Sequence, residues 1–600
     1  MTVTSSQEWS TRTFGNESRL PRVPLPALED SCEKFLAWCG PLLTPDELTV
    51  TENAVTEFLH EGGLARKLQA ELERYNASEG VESWLDTFWP YRYLGRRDRI
   101  ALNANFFFLF AASAQSQIDR AAGLIAAAVG YKRKLDDERI PPIIQRGQAL
   151  SMAQNKFLFS TTRIPGEVLD TVRAPYSDAE PGPSTARHIV VFFRGNMIRM
   201  DVLGPDGLPY DLDDLSAGLE AVKKAAANEN PVGDAVGHLT TKARAEWAAS
   251  RQSLVALDPA NAEALDTVET ALFCVCLEDF APRDTQHACD ELLYGDRGNR
   301  WFDKAVSFVV FEDGNAGINV EHCGLDGTTI LSFVDTLLSG TPEEHSAASG
   351  AVSQGLPAIE PVEFVLDDAL RADVTAAAEA FAAYGDATAT TTVSFEDFGT
   401  NQAKALGSSP DAFAQLAYQL AHKRSKGFTG ATYESIATRQ YQNGRTEAMR
   451  VVTPEVLDFV STMDDPAADR EAKKAAYHAA ARQHVARAKE CQAGQVPEQH
   501  LWELQLIHRR HGGEEPLALY ETPGWLKMRD DYLSTSSAPS EHIQFFGFGS
   551  TSTQCIGVAY VLLPDRWNVY LSTPLPVADE MHKFAAKLTE AVLELQVLLA

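Results

Sequence analysis

The run AsnValGluHisCysGlyLeuAspGly, at 319–327, sets an imidazole, a thiol and a carboxylate beside two glycines. The residues leading into it read as a strand that ends at Glu321–His322, and a turn carrying Gly324 and Gly327 follows. An imidazole at a strand end beside such a turn can enter a cleft. A hydroxyl has a pKa far above 7, so its attack on an ester or thioester needs a proton acceptor, and His322 is of the right type. Asp326 stands four residues on and would hold the turn or pair with a cation. Cys323 is the other nucleophile in the run, but successive side chains of an extended segment point to opposite faces, which turns it away from His322. The pairs His478/His484 and His508/His511 lack the ligand company of a zinc site and read as surface helix, so no metal is expected.

Two further runs carry chemistry. SerSerProAspAlaPhe (408–413) opens a helix, with Ser409 as N-cap, Pro410 in the first turn and Leu416 and Leu420 on one face. Lys404 precedes the cap by five residues, and a helix start with a nearby Lys can hold a phosphate, although an ordinary capped helix has the same features. LeuSerThrSerSer (533–537) precedes IleGlnPhePheGlyPheGly (543–549). Hydroxyls clustered on a strand can donate to a developing oxyanion; a plain Ser/Thr-rich strand looks the same.

The elements that must position these residues alternate irregularly. Apolar spacing predicts helix between Asp30 and His60, and the Ala-rich runs 372–384 and 467–490 are helical. HisIleValValPhePheArgGly (188–195) and MetIleArgMetAspVal (197–202) predict a hairpin over Gly195–Asn196, and 307–312 pairs with 316–322 across AspGlyAsn. Residues 171–187 and 338–360 have the composition of loops. This pattern predicts an α/β fold of mixed sheets flanked by helices rather than a doubly wound parallel sheet. GxGxxG after a strand, Walker loops and HExxH are all absent.

Composition narrows the partners. With 53 Lys plus Arg against 83 Asp plus Glu, the 600-residue chain carries a formal charge of −30, which excludes nucleic acid and anionic membrane surfaces as main partners. Eight Cys without a CxxC give no disulfide framework, and a reducing, cytoplasmic setting is expected. The N-terminus does not read as a signal peptide, and the longest apolar tracts, around 106–112 and 124–129, fall short of the roughly 18–20 residues of a membrane span.

The three runs, in this order, resemble the choline/carnitine O-acyltransferase family. So do LeuProArgValProLeuProAlaLeu (20–28), MetAlaGlnAsnLysPheLeuPheSerThrThrArgIleProGly (152–166), AsnArgTrpPheAspLys (299–304), ThrTyrGluSer (432–435) and AsnGlyArgThrGlu (443–447). The resemblance covers nearly the whole chain. It implies two similar CoA-dependent acyltransferase-type domains, each a mixed β-sheet flanked by helices, with the active site between them. One would comprise 1–80 plus 367–600, and the other, 81–366, would carry the catalytic His. His322 would deprotonate the acceptor hydroxyl, which attacks acyl-CoA directly; Asp326 would support it and Ser536 would stabilise the oxyanion. Lys404 and Asp411 match CoA-contacting positions. Tyr93, Tyr433, Thr446, Gln499, Ser534 and Phe546 match acceptor-site positions, Phe546 beside a quaternary ammonium. Acyl-CoA would be substrate, with no permanently bound cofactor, and the partner a small hydroxyl acceptor; a monomer is expected, but the sequence leaves the oligomeric state open.

The departures from the family pattern are informative. Thr400 stands where a second Lys is usual, which admits an acyl carrier protein as donor, and Ser537 replaces the Gln that usually follows SerThrSer. Gln499 stands where carnitine enzymes have Arg and choline enzymes Asn, while Thr446 follows the carnitine branch. Carnitine itself is therefore disfavoured as acceptor. A non-catalytic binding protein on the same scaffold is the remaining alternative.

Overall fold

The computed structural model describes residues 8–600 apart from Asp296, Cys323, Glu515 and Pro516; the expectation for Cys323 thus lies outside the described residues. Two mixed sheets organise the chain, each flanked by helices, as expected. The larger has the strand order 359–361, 196–201, 188–193, 274–277, 306–310, 316–320, 106–110, 543–548. Its strand Cys274–Leu277 runs parallel to both neighbours and the remaining pairs are antiparallel. The smaller has the order 388–395, 567–574, 556–562, 533–537, 432–437, 446–450, with Leu533–Ser537 parallel to both of its neighbours.

The aromatic run Phe106–Phe110 shows how the larger sheet is built. Alternating side chains place Phe106, Phe108 and Phe110 in the core under the helices Gln117–Asp136 and Gly327–Leu338, while Phe107 and Leu109 enter the core on the opposite face. The strand Ile543–Phe548 comes from the C-terminal half of the chain and closes this sheet's edge against Phe106–Phe110. The smaller sheet packs against the helices Pro410–Lys426 and Ala578–Leu599. N-terminal helices pack with residues 436–528 in a separate core.

Local expectations hold with four corrections, the first being that Thr171–Arg173, inside the expected loop 171–187, is a short strand paired antiparallel with Thr162–Ile164. The helical span near 30–60 is two helices, Leu28–Cys39 and Pro45–Phe58, the second opened by a Thr44–Glu47 capping box. The hairpin after His188–Phe193 turns on Arg194–Gly195, not Gly195–Asn196; both turn residues have positive φ (52° and 73°), which suits the twist of a two-residue hairpin. The segment 338–360 is not wholly loop: Thr341 and Glu344 form a capping box that starts the helix Pro342–Ser349. No helix among the described residues is long and apolar enough to cross a membrane.

Candidate active site

The strand Ala316–Val320 is fully buried and paired on both sides. Beyond it, Glu321 is locked by Arg163, whose Nη1 lies 3.1 Å from its carboxylate, and Arg163 also holds Asp170 at 2.6 Å. This fixes the strand exit. The next turn requires Gly324, because a Cβ there would lie 2.7 Å from the Phe157 ring; Gly327 has open space and carries no such demand.

Asp326 then occupies the N-cap position of Gly327–Leu338, yet its side chain caps nothing. Arg445 takes it in a two-pronged pair, Nε to Oδ2 at 3.1 Å and Nη2 to Oδ1 at 2.9 Å. Gln154 donates from Nε2 to Oδ2 at 2.6 Å and accepts from the Asp326 backbone N–H at 2.9 Å. His322 Nδ1 stands 3.4 Å from Oδ1, longer than a full hydrogen bond. The imidazole stacks on Tyr93 (4.7 Å, 23°) and meets the Phe106 ring edge-on (5.4 Å, 71°). Its side chain keeps 24% exposure, so it is an enclosed but reachable ring.

Charge is distributed to suit a base. Burial pushes the His322 pKa down, Asp326 works against that and Arg445 adds to it; the net result is below the usual value. Burial would raise the Asp326 carboxyl, but Arg445 and His322 hold it below the usual range. At neutral pH the pair is therefore an imidazole beside a carboxylate.

Tyr93 leads from His322 to a polar cavity, since its hydroxyl reaches Thr446 Oγ1 at 3.4 Å. The cavity, about 190 Å³, is lined by Tyr433, Thr446, Gln499 and Ser534, four of the six acceptor-site positions expected from the sequence. Gln499 donates from Nε2 to the Thr446 carbonyl at 2.8 Å. Phe546 is not among the lining residues: it packs on Phe108 (5.4 Å) and Phe106 (6.1 Å), one ring removed from His322.

Ser534 faces this cavity, so alternation puts Ser536 on the same side of the strand, while Thr535 points away and donates to the Tyr433 carbonyl at 2.9 Å. Ser536 is half-buried and pairs in register with Ala559.

Lys404 is exposed on the short helix Thr400–Ala405, and Asp411 lies in the first turn of Pro410–Lys426, where Ser409 sits at the N-cap without making a capping bond. Asp411 accepts from Tyr560 at 2.7 Å and contacts His484 at 3.1 Å. His484 is therefore not on a helix surface: it is 2% exposed, because its ring closes a buried cluster with Asp411 and Glu434. One ligand atom from each of these three residues lies within 4.8 Å of the others. Burial, with Asp411 alongside, pushes the Glu434 carboxyl well above its usual range.

Sequence reasoning singled out neither Arg445 nor Gln154, although both fall inside motif blocks (443–447 and 152–166). Both bond to Asp326 from more than a hundred residues away.

A profile of the Choline/Carnitine o-acyltransferase family matches residues 23–590. The mitochondrial carnitine O-palmitoyltransferase 2 of Mus musculus is 30% identical over 599 residues, covering 92% of this chain and 88% of that protein. The carnitine O-acetyltransferase of Rattus norvegicus is 29% identical over 606 residues, covering 98% and 95%. Among solved structures, the first condensation domain of the calcium-dependent antibiotic synthetase is 11% identical with a TM-score of 0.37, covering 83% of this chain and 92% of that one. Since the family profile runs across almost the entire length, the chain belongs to the choline/carnitine O-acyltransferase family and is an acyltransferase.

Proposed function

We propose that the protein transfers an acyl group from acyl-CoA directly to the hydroxyl of a small acceptor held in the Tyr433–Ser534 cavity. The observation that carries this reading is the continuity from Asp326 through the His322 ring and Tyr93 to Thr446 on the cavity wall. His322 Nε2 takes the acceptor proton as the oxygen attacks the thioester carbon. Asp326 orients Nδ1 and stabilises the imidazolium. The Ser536 hydroxyl donates to the tetrahedral oxyanion. Collapse breaks the carbon–sulfur bond, and the departing thiolate takes the proton back from His322. Lys404 and Asp411 are assigned to the CoA side.

Gln499 disfavours carnitine as the acceptor. Gln499 supplies a neutral amide where a guanidinium would pair with the carnitine carboxylate, and a lost charge-assisted contact typically costs about 1.5–3 kcal/mol, or about 10–100-fold in affinity. Thiol release from acyl-CoA, followed across carnitine, choline and amino-alcohol acceptors, tests this. Gln499→Arg should raise kcat/KM for carnitine by about 10–100-fold; an unchanged value removes Gln499 from acceptor selection. Ser536→Ala should lower kcat by about 10²–10³-fold with little change in the KM for acyl-CoA, whereas a change confined to KM would make Ser536 a binding group.

Thr400, in place of a second cation near Lys404, favours a carrier-protein donor as second reading. Saturation by acyl-CoA at micromolar concentration would remove it.

A further inference from the structure

The cavity that holds the acceptor in this reading carries more positive charge than its visible partners answer. Four guanidinium groups line it, Arg92, Arg96, Arg450 and Arg529, against the carboxylates Glu498 and Asp531. This surplus sits in a chain whose formal charge is −30.

Three of the four guanidiniums are engaged. Arg450 grips Glu498 through Nε and Nη2, both at 2.7 Å, and Asp531 through Nη1 at 2.5 Å. Arg96 pairs with Asp98 at 2.8 Å. Arg529 approaches Glu498 at 3.4 Å and lies over the Trp502 ring at 4.0 Å. Arg92 differs. Its Cζ lies 5.5 Å from the ring centres of both Tyr93 and Trp502; Glu498, already gripped by Arg450, feels its charge, but among the described residues no hydrogen bond or ion pair holds the Arg92 guanidinium. Aromatic faces hold a guanidinium in place without neutralising it. Arg92 also directly precedes Tyr93, the residue that stacks on His322, so its charge stands beside the path to the base.

Gln499 gives one of its two amide hydrogens to the Thr446 carbonyl, and as a neutral amide it cannot balance an anion's charge. Burial lowers the Arg529 pKa to about 10; Glu498 opposes the fall, and Arg450 and Arg92 add to it, so the cations of this wall repel one another and an anion would relieve that.

Resting on the acceptor reading above, we infer that the acceptor is an anionic hydroxy compound, a hydroxy acid or a phosphomonoester, whose negative group is bound by Arg92 rather than at position 499. The anion then sits at the segment Pro90–Leu94, on a different element from the helix Glu498–Arg510 that carries Gln499.

Calorimetric titration without an acyl donor tests this independently of turnover. The probes are 3-hydroxybutyrate, 4-hydroxybutyrate and 5-hydroxypentanoate, each against its carboxamide, and glycerol 3-phosphate against glycerol. At least one anion should bind about 10–100-fold more tightly than its neutral counterpart; the carboxylate and phosphate arms say which anion is preferred. Arg92→Gln should abolish the difference while binding of the neutral compound, which reports an intact cavity, stays unchanged. Arg92→Lys should restore part of it. Equal binding of charged and neutral probes by the wild type, or a preference that survives Arg92→Gln, overturns the inference. Thiol release is measured in parallel: anion preference without any His322-dependent release would sink the catalytic reading and leave Arg92 as an anion site, whereas His322-dependent release with no Arg92 effect would do the reverse.

Discussion

Replacing His322 by Ala should lower acyl-CoA-dependent thiol release by about 10²–10⁴-fold, the usual contribution of a positioned general base. That corresponds to about 3–5 kcal/mol of barrier. The KM for acyl-CoA should move little, because nothing in the geometry gives the ring a share in binding the nucleotide. Removing the imidazole also takes away the Tyr93 stack and the Phe106 edge contact, so some stability is lost with it. His322→Gln keeps more of the volume and should lose the same activity with less effect on thermal unfolding. Matching losses in the two variants assign the deficit to the missing base. Release at wild-type rates from either variant would remove His322 from the mechanism, and no release from the wild type with any donor would favour the non-catalytic alternative.

The strand end at His322 was readable because its marks are local: an apolar run to Val320, then a turn carrying Gly324; that the Phe157 ring makes this glycine obligatory was not. The larger sheet was foreshadowed by β-branched and aromatic runs bounded by turns, as in the 188–201 hairpin, whereas of the smaller sheet only Leu533–Ser537 was marked. What could not be read is what long-range contacts decide. Asp326 was read as holding the turn or pairing with a cation, and it does pair with one, but that the cation is Arg445, distant in sequence, was not legible. His484 looked like surface helix because its neighbours Asp411 and Glu434 are each at least fifty residues away in sequence. The helix at Pro342–Ser349 did have a local signal, the spacing of Thr341 and Glu344, which the Gly, Ser and Pro content around it obscured. Arg92 is similar in kind: no motif marks it, and its significance appears only when Arg450 and Arg96 are seen to be already paired.

Asp326→Asn should likewise cost about 10²–10⁴-fold in turnover, by analogy with the loss of the carboxylate behind a histidine base in hydrolytic triads. A structural role alone would also predict damage, because Asp326 and Arg445 form a buried pair and breaking one typically costs about 3–5 kcal/mol. The pH profile separates the two. In the wild type the acid limb of kcat/KM reports His322 losing its proton, and burial places it below the ordinary imidazole value of about 6.5. Asp326 opposes that fall and Arg445 reinforces it. Asp326→Asn deletes the opposing charge and leaves Arg445, so the limb should move further to acid. Arg445→Gln deletes the reinforcing charge and leaves Asp326, so the limb should move towards alkaline pH. Both variants lose the same ion pair and should lose comparable stability, so a packing defect would shift the two profiles alike. Opposite displacements from one broken pair require that both charges act on the proton of His322, and displacements in the same direction would exclude it.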